Sequence, residues 1–443
     1  MSIVVRSLPI VALLAGSASA DDAAPVAKLL ADPDQLAAWL GDRDPMIDSQ
    51  RAKIDASAAA ARQARVIPNP TLNVGVSDFV LGRTNNSTAT PATPSLGLGQ
   101  TLIYTAGIDE LVEIGKREPR RNAADLRRRE AGETAIGTLG QRVTDATQTL
   151  GKLAYVAARR EVVATNLEAA RALMESERKR VALKDLSPLE LARIELDAEE
   201  VELQLTRADA DLGTAIATCS ATLFAACSPA GLGAASLDAA APLAAAGDDP
   251  MSAIEARPAR QASKLEGEAL GWDAQLAHAR RIPDPTLGIG YTLDNLTVSG
   301  DQHQSLLFTV GIPLPLFDRG SHDEAAARAN ARAIAAEHAA TVREARGQVE
   351  ALVAQRAALE QTLAKLEHDA IPKSSQIIQQ TRTAFDLKDA RLADLLIVER
   401  AHRDLLLEVL ETRFDLFTVR ALLRQQLGLD DTAARHAGHW SKP

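Results

Sequence analysis

The stretch ARVIPNPTLNVGV, residues 64 to 76, returns as ARRIPDPTLGIGY, residues 279 to 291. In each copy a helix-like run stops at two prolines, Pro68 and Pro70 or Pro283 and Pro285, and a short, alternating, glycine-dotted segment begins. Proline lacks the amide that a helix interior needs, and it biases its predecessor toward extended backbone. Each copy therefore reads as a helix-to-strand junction. A chain that writes such a junction twice is one supersecondary unit used twice. Further landmarks keep the same order: Pro45 with Pro258, QTLIYTAG with PLPLFDRG, and VALKDLSPLEL with FDLKDARLADL. The last pair aligns Lys184 and Asp185 with Lys388 and Asp389. The repeated unit reads helix, short β pair, very long helix, turn, returning helix.

The β reading rests on period two. Leu72, Val74 and Val76 alternate with Thr71, Asn73 and Gly75, and SLGLGQTLIY sets Leu96, Leu98, Leu102 and Tyr104 against small residues. Leu287, Ile289, Tyr291 and Leu293, then Leu306, Phe308, Val310, Ile312 and Leu314, do the same in the second half. Strands are expected at about 70–80, 95–104, 286–294 and 305–315. Each run is about ten residues, the length of a tilted strand that crosses a bilayer. The segments between them, LGRTNNSTATPATP and DNLTVSGDQHQ, have the polar, turn-rich make-up of hairpin loops.

The rest is helical by pattern. Val342, Ala345, Val349, Leu352, Leu359, Leu363 and Leu366 follow 3,4 spacing, as do Leu395, Val398, Leu405, Val409, Leu416, Val419 and Leu423. Val143, Ala146, Leu150, Leu153 and Ala157 begin the same pattern in the first half. Such seams are coiled-coil pairing surfaces. The run from Gly107 to Leu183 would measure about 110 Å as helix. Gly115, Pro119 and Gly132 are expected to bend or break it near its start.

Residues 1–20 carry Arg6, an apolar run and SASA before Asp21, the form of an export signal. No window reaches the roughly 18 consecutive apolar residues of a helical span, so a membrane crossing would have to be made by strands. The formal net charge of −10, with no basic patch, argues against nucleic acid as a partner. Cys219 and Cys227, the two cysteines, close a short loop, and in an exported chain a disulfide between them is the expectation. No His, Asp or Glu lies between them to make a metal site.

GLGQTL and GIGYTL do not complete a phosphate-loop pattern, and the eight histidines form no H-E-x-x-H pair. His436 and His439 read as decoration of a flexible tail. No nucleophile elbow or Ser, His and Asp constellation is legible, so no enzyme activity and no cofactor are expected.

Four strands cannot close a barrel, and an open sheet edge is not tolerated in lipid, where unpaired amides and carbonyls each cost several kcal/mol. At this point the doubled PxPTL junctions and doubled LKD turns resemble the TolC-like outer-membrane efflux proteins, particularly the heavy-metal, CzcC-type branch. The likeness covers nearly the whole chain after the signal. It implies a mainly α fold with a small transmembrane β part, two internal repeats and four strands per chain. Three chains would form a twelve-stranded barrel continued by a long coiled-coil helical tunnel through the periplasm.

The resemblance also divides the chain into signal peptide 1–20, first repeat 21–227 with a helical hairpin at about 107–224, Ala/Gly/Pro-rich linker 228–250, second repeat 251–428 with a hairpin at about 320–427, and flexible tail 429–443. It implies a homotrimer in the bacterial outer membrane, bound through a periplasmic adaptor to an inner-membrane pump and serving as a passive gated conduit for metal cations or other toxic solutes. The turns would form the periplasmic tip, with Glu190 and Asp394 as acidic residues at its mouth and Lys184, Asp185, Lys388, Asp389 and Arg391 around them. Lys184 and Lys388 stand where the family usually has glycine, a departure at a turn that favours φ > 0. A soluble periplasmic coiled-coil scaffold, adaptor-like, is the alternative, although adaptors typically carry one helical hairpin rather than two.

Overall fold

The computed structural model describes residues 23–77, 102–240, 243, 250–295, 303–317, 319–437 and 440. The signal segment, most of both interstrand loops and most of the strand expected at 95–104 lie outside these residues. The described chain forms two compact units. One gathers the chain up to Asp48, Ile136–Arg257 and Glu344–His439; the other takes Ser49–Ala135, Pro258–Arg343 and the chain from Trp440. Both units draw on both sequence repeats, so the repeats are a pattern along the chain and not separate bodies.

The second unit is organised by one antiparallel sheet in the order β1 (Thr71–Ser77), β2 (Ile103–Leu111), β3 (Thr286–Asp294), β4 (Gln304–Gly311). Strand β2 reaches Leu111, beyond the Gly107 start expected for the helical hairpin, because Ile103 to Leu111 pair residue by residue with Asp294 to Thr286. Strand β4 stops at Gly311, short of the expected 315. Pro313 and Pro315 bring no amide to a ladder beyond that point.

Both proline junctions are tied by hydrogen bonds. The amide of Val112 donates to the Pro285 carbonyl (2.9 Å). The Ile114 amide (2.9 Å) and the Lys116 Nζ (2.7 Å) both donate to the Asp284 carboxylate. In the first copy, α3 (Pro45–Gln63) is followed by carbonyls that accept from the next long helix. Arg120 Nε donates to Ala64 (3.1 Å) and Arg117 donates to Arg65 (2.9 Å). Cations at a helix C-terminus satisfy carbonyls that have no intrahelical partner. The middle residue of each P-x-P thus marks a difference between the copies, since Asp284 anchors two donors where the first copy has Asn69.

That long helix, α4 (Arg117–Ala182), is 66 residues, about 99 Å of continuous helix; the break expected at Gly115 falls before it, where Gly115 has φ 69°, and those expected at Pro119 and Gly132 do not occur. Pro119 sits in its first turn where a missing amide costs nothing, and Gly132 is simply carried.

The first unit is helical. It contains α1 (Val26–Ala31), α2 (Pro33–Arg43), the Ile136–Ala182 part of α4, α5 (Pro188–Leu223), α6 (Ala234–Ala239) and α7 (Pro250–Glu255). After α8 (Pro258–Ala279), which belongs to the sheet unit, and α9 (Ser321–Lys365), a π-helical turn at Leu366–Ala370 leads into α10 (Ile371–Asp386), α11 (Leu392–Gln426) and α12 (Leu429–Ala437). The expected seams are core: Val143, Ala146, Leu150 and Leu153 are fully buried, and Leu395, Leu416, Val419 and Leu423 are buried with them. Helix α6 falls within the expected linker and buries Leu237, and Asp238 from it accepts from Arg413 of α11 at 3.0 Å.

The flexible tail expected from residue 429 is instead α12 as far as Ala437. Asp430, Asp431, Ala433 and Ala434 are buried, Asp430 accepts from Arg424 (3.1 Å) and Thr144 (2.9 Å), and Asp431 accepts from Arg257 (3.1 Å). Two acidic residues in the first turn, each with an arginine, fix this helix where composition alone suggested a tail. Cys219 and Cys227 are joined by a disulfide at the end of α5, and the adjacent Ala226 carbonyl accepts from Ala24 at 3.0 Å.

Candidate functional site

The paired turns come first. Helix α4 ends in a Schellman arrangement: the Lys184 amide donates to Val181 (2.9 Å) and the Asp185 amide to Arg180 (2.9 Å). The end of α10 repeats it, Lys388 donating to Phe385 (3.1 Å) and Asp389 to Ala384 (2.9 Å). The residue at the centre of such a turn is left-handed, and Lys184 (φ 61°) and Lys388 (φ 65°) both are. A β-carbon there costs about 1 kcal/mol relative to glycine. Lys184→Gly is therefore expected to raise stability by about 0.5–1 kcal/mol, measurable as a higher midpoint in urea unfolding of the detergent-solubilised protein. An unchanged or lower midpoint would show that the strain is already offset.

The acidic residues beyond the turns have defined partners. Ser187 opens α5 as its N-cap: Glu190 N–H donates to Ser187 Oγ (3.2 Å), and the Glu190 carboxylate accepts from the Ser187 amide (3.1 Å) and hydroxyl (2.8 Å). This is a capping box. It holds the Glu190 pKa below the usual glutamate value, first through the Ser187 hydroxyl and then through its backbone amide. Asp394 likewise accepts from the Arg391 amide at 3.1 Å, at the start of α11. Both carboxylates named from the sequence are thus engaged with their own helix starts.

Asp185 and Lys388 join the two turns. Lys388 Nζ lies 2.5 Å from Asp185 Oδ1, and Arg180 Nε donates to Asp185 Oδ2 at 3.1 Å. The hydrogen bond from Lys388, then that from Arg180, holds the Asp185 carboxyl below its usual range. A depressed pKa means that this link is present above the ordinary aspartate pKa and is lost as pH falls through the lowered value. Arg180 also pairs with the largely buried Glu177 (3.1 Å) and lies over the Phe385 ring. Burial raises the Glu177 pKa. Beneath the turns, Leu173, Ile194, Phe385, Leu392, Leu395 and Leu396 form one apolar cluster drawn from both hairpins.

One further link has a signal in the sequence outside any motif. Asp197 stands between Ile194, Ala198 and Val201, all buried, so its carboxylate occupies a seam position and requires cations. Arg400 Nε (2.6 Å) and Arg403 (3.0 Å to each oxygen) of α11 supply them.

The sheet is the second feature, and its two faces differ. Register aligns Leu72, Ile108, Ile289 and Phe308 in one row and Val74, Ala106, Tyr291 and Leu306 in the next. This apolar face is open: Leu72 is 69% exposed, Val74 73% and Phe308 73%. The other face carries Gly75, Thr105, Thr292 and Ser305 in one row and Thr71, Asp109, Gly288 and Thr309 in another. A sheet with exposed apolar rows on one side and small polar rows on the other has the facial contrast that membrane-barrel strands carry.

Among the described residues no group of three or more His, Cys, Asp or Glu is placed to hold a metal ion. The sheet and helical hairpins have the fold of solved outer-membrane channels. Residues 250–394 match the family described as Outer membrane efflux protein. The cobalt-zinc-cadmium resistance protein CzcC of Cupriavidus metallidurans is 28% identical over 273 residues, an alignment that takes in 60% of this chain and 59% of that protein's length. The channel-forming CusC structure superposes with a TM-score of 0.73 at 15% identity over 91% of both chains. VceC of Vibrio cholerae gives 0.71 at 20% identity, over 89% of this chain and 96% of that one. The chain thus has the fold of these channel structures, and its residues 250–394 are similar to the outer membrane efflux proteins.

Proposed function

We propose that this chain is the outer-membrane component of a tripartite efflux system, a passive gated conduit that performs no chemistry. The observation that carries the reading is the sheet: four strands with a lipid-type face, a small polar face, and edges at β1 and β4 that have no partner strand among the described residues. In lipid those edges must be paired, and three copies joined β4 to β1 close a twelve-stranded barrel. The helical hairpins then continue the path into the periplasm. Their turns, Lys184 to Ser187 and Lys388 to Arg391, are the surface offered to an adaptor, through which an inner-membrane pump supplies the energy. Glu190 and Asp394, beside Lys184, Asp185, Lys388, Asp389 and Arg391, surround the mouth of the tip.

The cargo proposed is metal cations, supported by the partial likeness to a cobalt-zinc-cadmium resistance protein. Membrane fractionation and unheated gel electrophoresis test the assembly. A detergent-extracted trimer in the outer-membrane fraction is expected, and a soluble monomer would overturn the proposal. Deleting the gene and measuring tolerance to cobalt, zinc and cadmium tests the cargo, with increased sensitivity expected.

A further inference from the structure

The two helical hairpins meet through unlike flanks. On the first, α4 and α5, the contact uses Asp185, Ile194, Asp197 and Val201; on the second, α10 and α11, it uses Lys388, Leu395, Arg400 and Leu407. The shift that carries Lys184 onto Lys388 and Asp185 onto Asp389 gives each of these residues a repeat mate. The mates of the second set are Lys184, Leu191, Leu196 and Leu203, on the first hairpin. Those of the first set are Asp389, Val398, Ala401 and Leu405, on the second. Each hairpin thus carries two half-contacts, one used inside the chain and one left over.

The left-over halves are uncovered. Leu196 is 63% exposed and Leu203 60%, a heptad apart on α5 and away from its buried Ile194, Ala198 and Val201. Lys184, Asp389 and Ala401 are exposed too, and the Lys184 and Asp389 side chains have no partner among the described residues. A stack of repeats ends in polar outer faces, because an apolar one calls for a further repeat to cover it. Leucines at heptad spacing are a pairing seam. The two halves also match each other. Lys184 and Asp389 repeat the chemistry of the Lys388 to Asp185 link. Where the inner contact sets Asp197 against Arg400, the mates are Ala401 and Leu196, so both members of the ion pair have become apolar together.

We propose that the outer flank of the first hairpin receives the second hairpin of another copy of this chain, with Leu196 and Leu203 against Ala401 and Leu405, and Lys184 of one copy on Asp389 of the next. This rests on the three-copy reading above and names the helical surface that joins the copies. The contact uses two different patches of one chain, so it runs head to tail and makes a ring when its rotation closes. Contacts within and between chains then alternate around the axis, each a repeat-swapped version of the other.

The test makes two differently tagged full exported chains in one cell, one with Lys184→Cys and the other with Asp389→Cys, and treats the membranes with a short bismaleimide. Cys219 and Cys227 are tied to each other, so the added thiols are the ones that react. A product of twice the chain mass bearing both tags is expected. Lys388→Cys with Asp185→Cys in a single chain should cross-link without a change of mass. Separately, Leu196→Asp with Leu203→Asp is expected to abolish the trimer band on unheated gels while leaving the helical circular dichroism of the chain intact, since both side chains are exposed in the single chain. If that variant does not fold, the two-tag product alone decides. A wild-type trimer whose cysteine variants give no two-tag product, or folded aspartate variants that keep the trimer, overturns the inference and leaves the conduit intact. A wild-type chain that forms no trimer rejects the conduit reading itself.

Discussion

Asp197→Ala is expected to lower stability by about 2–3 kcal/mol, several times the effect of breaking the Asp185 to Lys388 link. The two links look alike on paper, since each joins the two hairpins through a carboxylate and a cation. Solvent separates them. The Asp197 side chain is 3% exposed and that of Arg403 15%, whereas the Lys388 side chain is 70% exposed. Water screens an exposed pair and the flexible lysine loses entropy in making it, so such pairs contribute about 0–1 kcal/mol. Removing the Asp197 carboxylate leaves Arg403, whose Nη2 donates to both of its oxygens, without that partner in a partly dry seam. Arg400, at 48% exposure, can turn toward water, and this keeps the loss below that of a wholly buried pair.

The measurement is urea unfolding of the solubilised protein, with hydrogen exchange along α5 and α11 as the local readout. Faster exchange in both helices is expected for Asp197→Ala, and much less change for Lys388→Ala. Equal effects from the two substitutions would contradict this ranking. Burial also raises the pKa of neighbouring Glu399, so the seam carries a second carboxyl that resists ionisation. Arg400 also pairs with Glu200 at 3.1 Å, so Arg403 is the arginine that depends chiefly on Asp197.

These contrasts bear on what the sequence makes legible. The strand segments 71–77 and 286–294 can be read directly because a sheet with unlike faces writes its period into the chain, and lipid and water select opposite residues. Strand β2 is harder, since Gly107 looks like an end. In the sheet it is an interior position where a β-carbon would come within 3.2 Å of the Ile289 carbonyl oxygen, so the glycine permits close strand packing. Continuity of α4 through Gly132 is similarly hidden, because a single glycine costs only about 1 kcal/mol against the rest of a long helix. Helix α12 is missed for another reason. Its order depends on Arg257 and Arg424, and the first of these is remote in sequence. At the turns, Lys184 and Lys388 are visible as departures from glycine, while the left-handed backbone that makes them matter is not. Glu190 is the reverse case, because the S-x-x-E spacing of Ser187 and Glu190 is a capping-box signature that can be read without a structure.

Gly151 and Phe417 give the second large effect, and it depends on both residues together. Phe417 of α11 is fully buried, and its ring lies against α4 where Gly151 has no side chain. A β-carbon placed on Gly151 would overlap the ring carbons of Phe417. Phe414 stacks beside this ring and on Tyr155, with centroids 6.4 and 4.7 Å apart, so the ring has little room to move aside. Phe417→Ala should cost about 3–5 kcal/mol through lost burial and the cavity left behind. Gly151→Ala would gain about 1 kcal/mol in helix propensity in isolation, yet here a net loss of about 1–3 kcal/mol is expected because the core is overpacked.

The double substitution separates this steric account from general damage to α4. If the clash is the cause, Gly151→Ala on the Phe417→Ala background should be neutral or stabilising, since the added methyl enters the cavity instead of meeting a ring. The coupling between the two sites, read from four urea midpoints, should then be at least about 1 kcal/mol. Additive losses would mean that Gly151 serves α4 for a reason other than admitting Phe417.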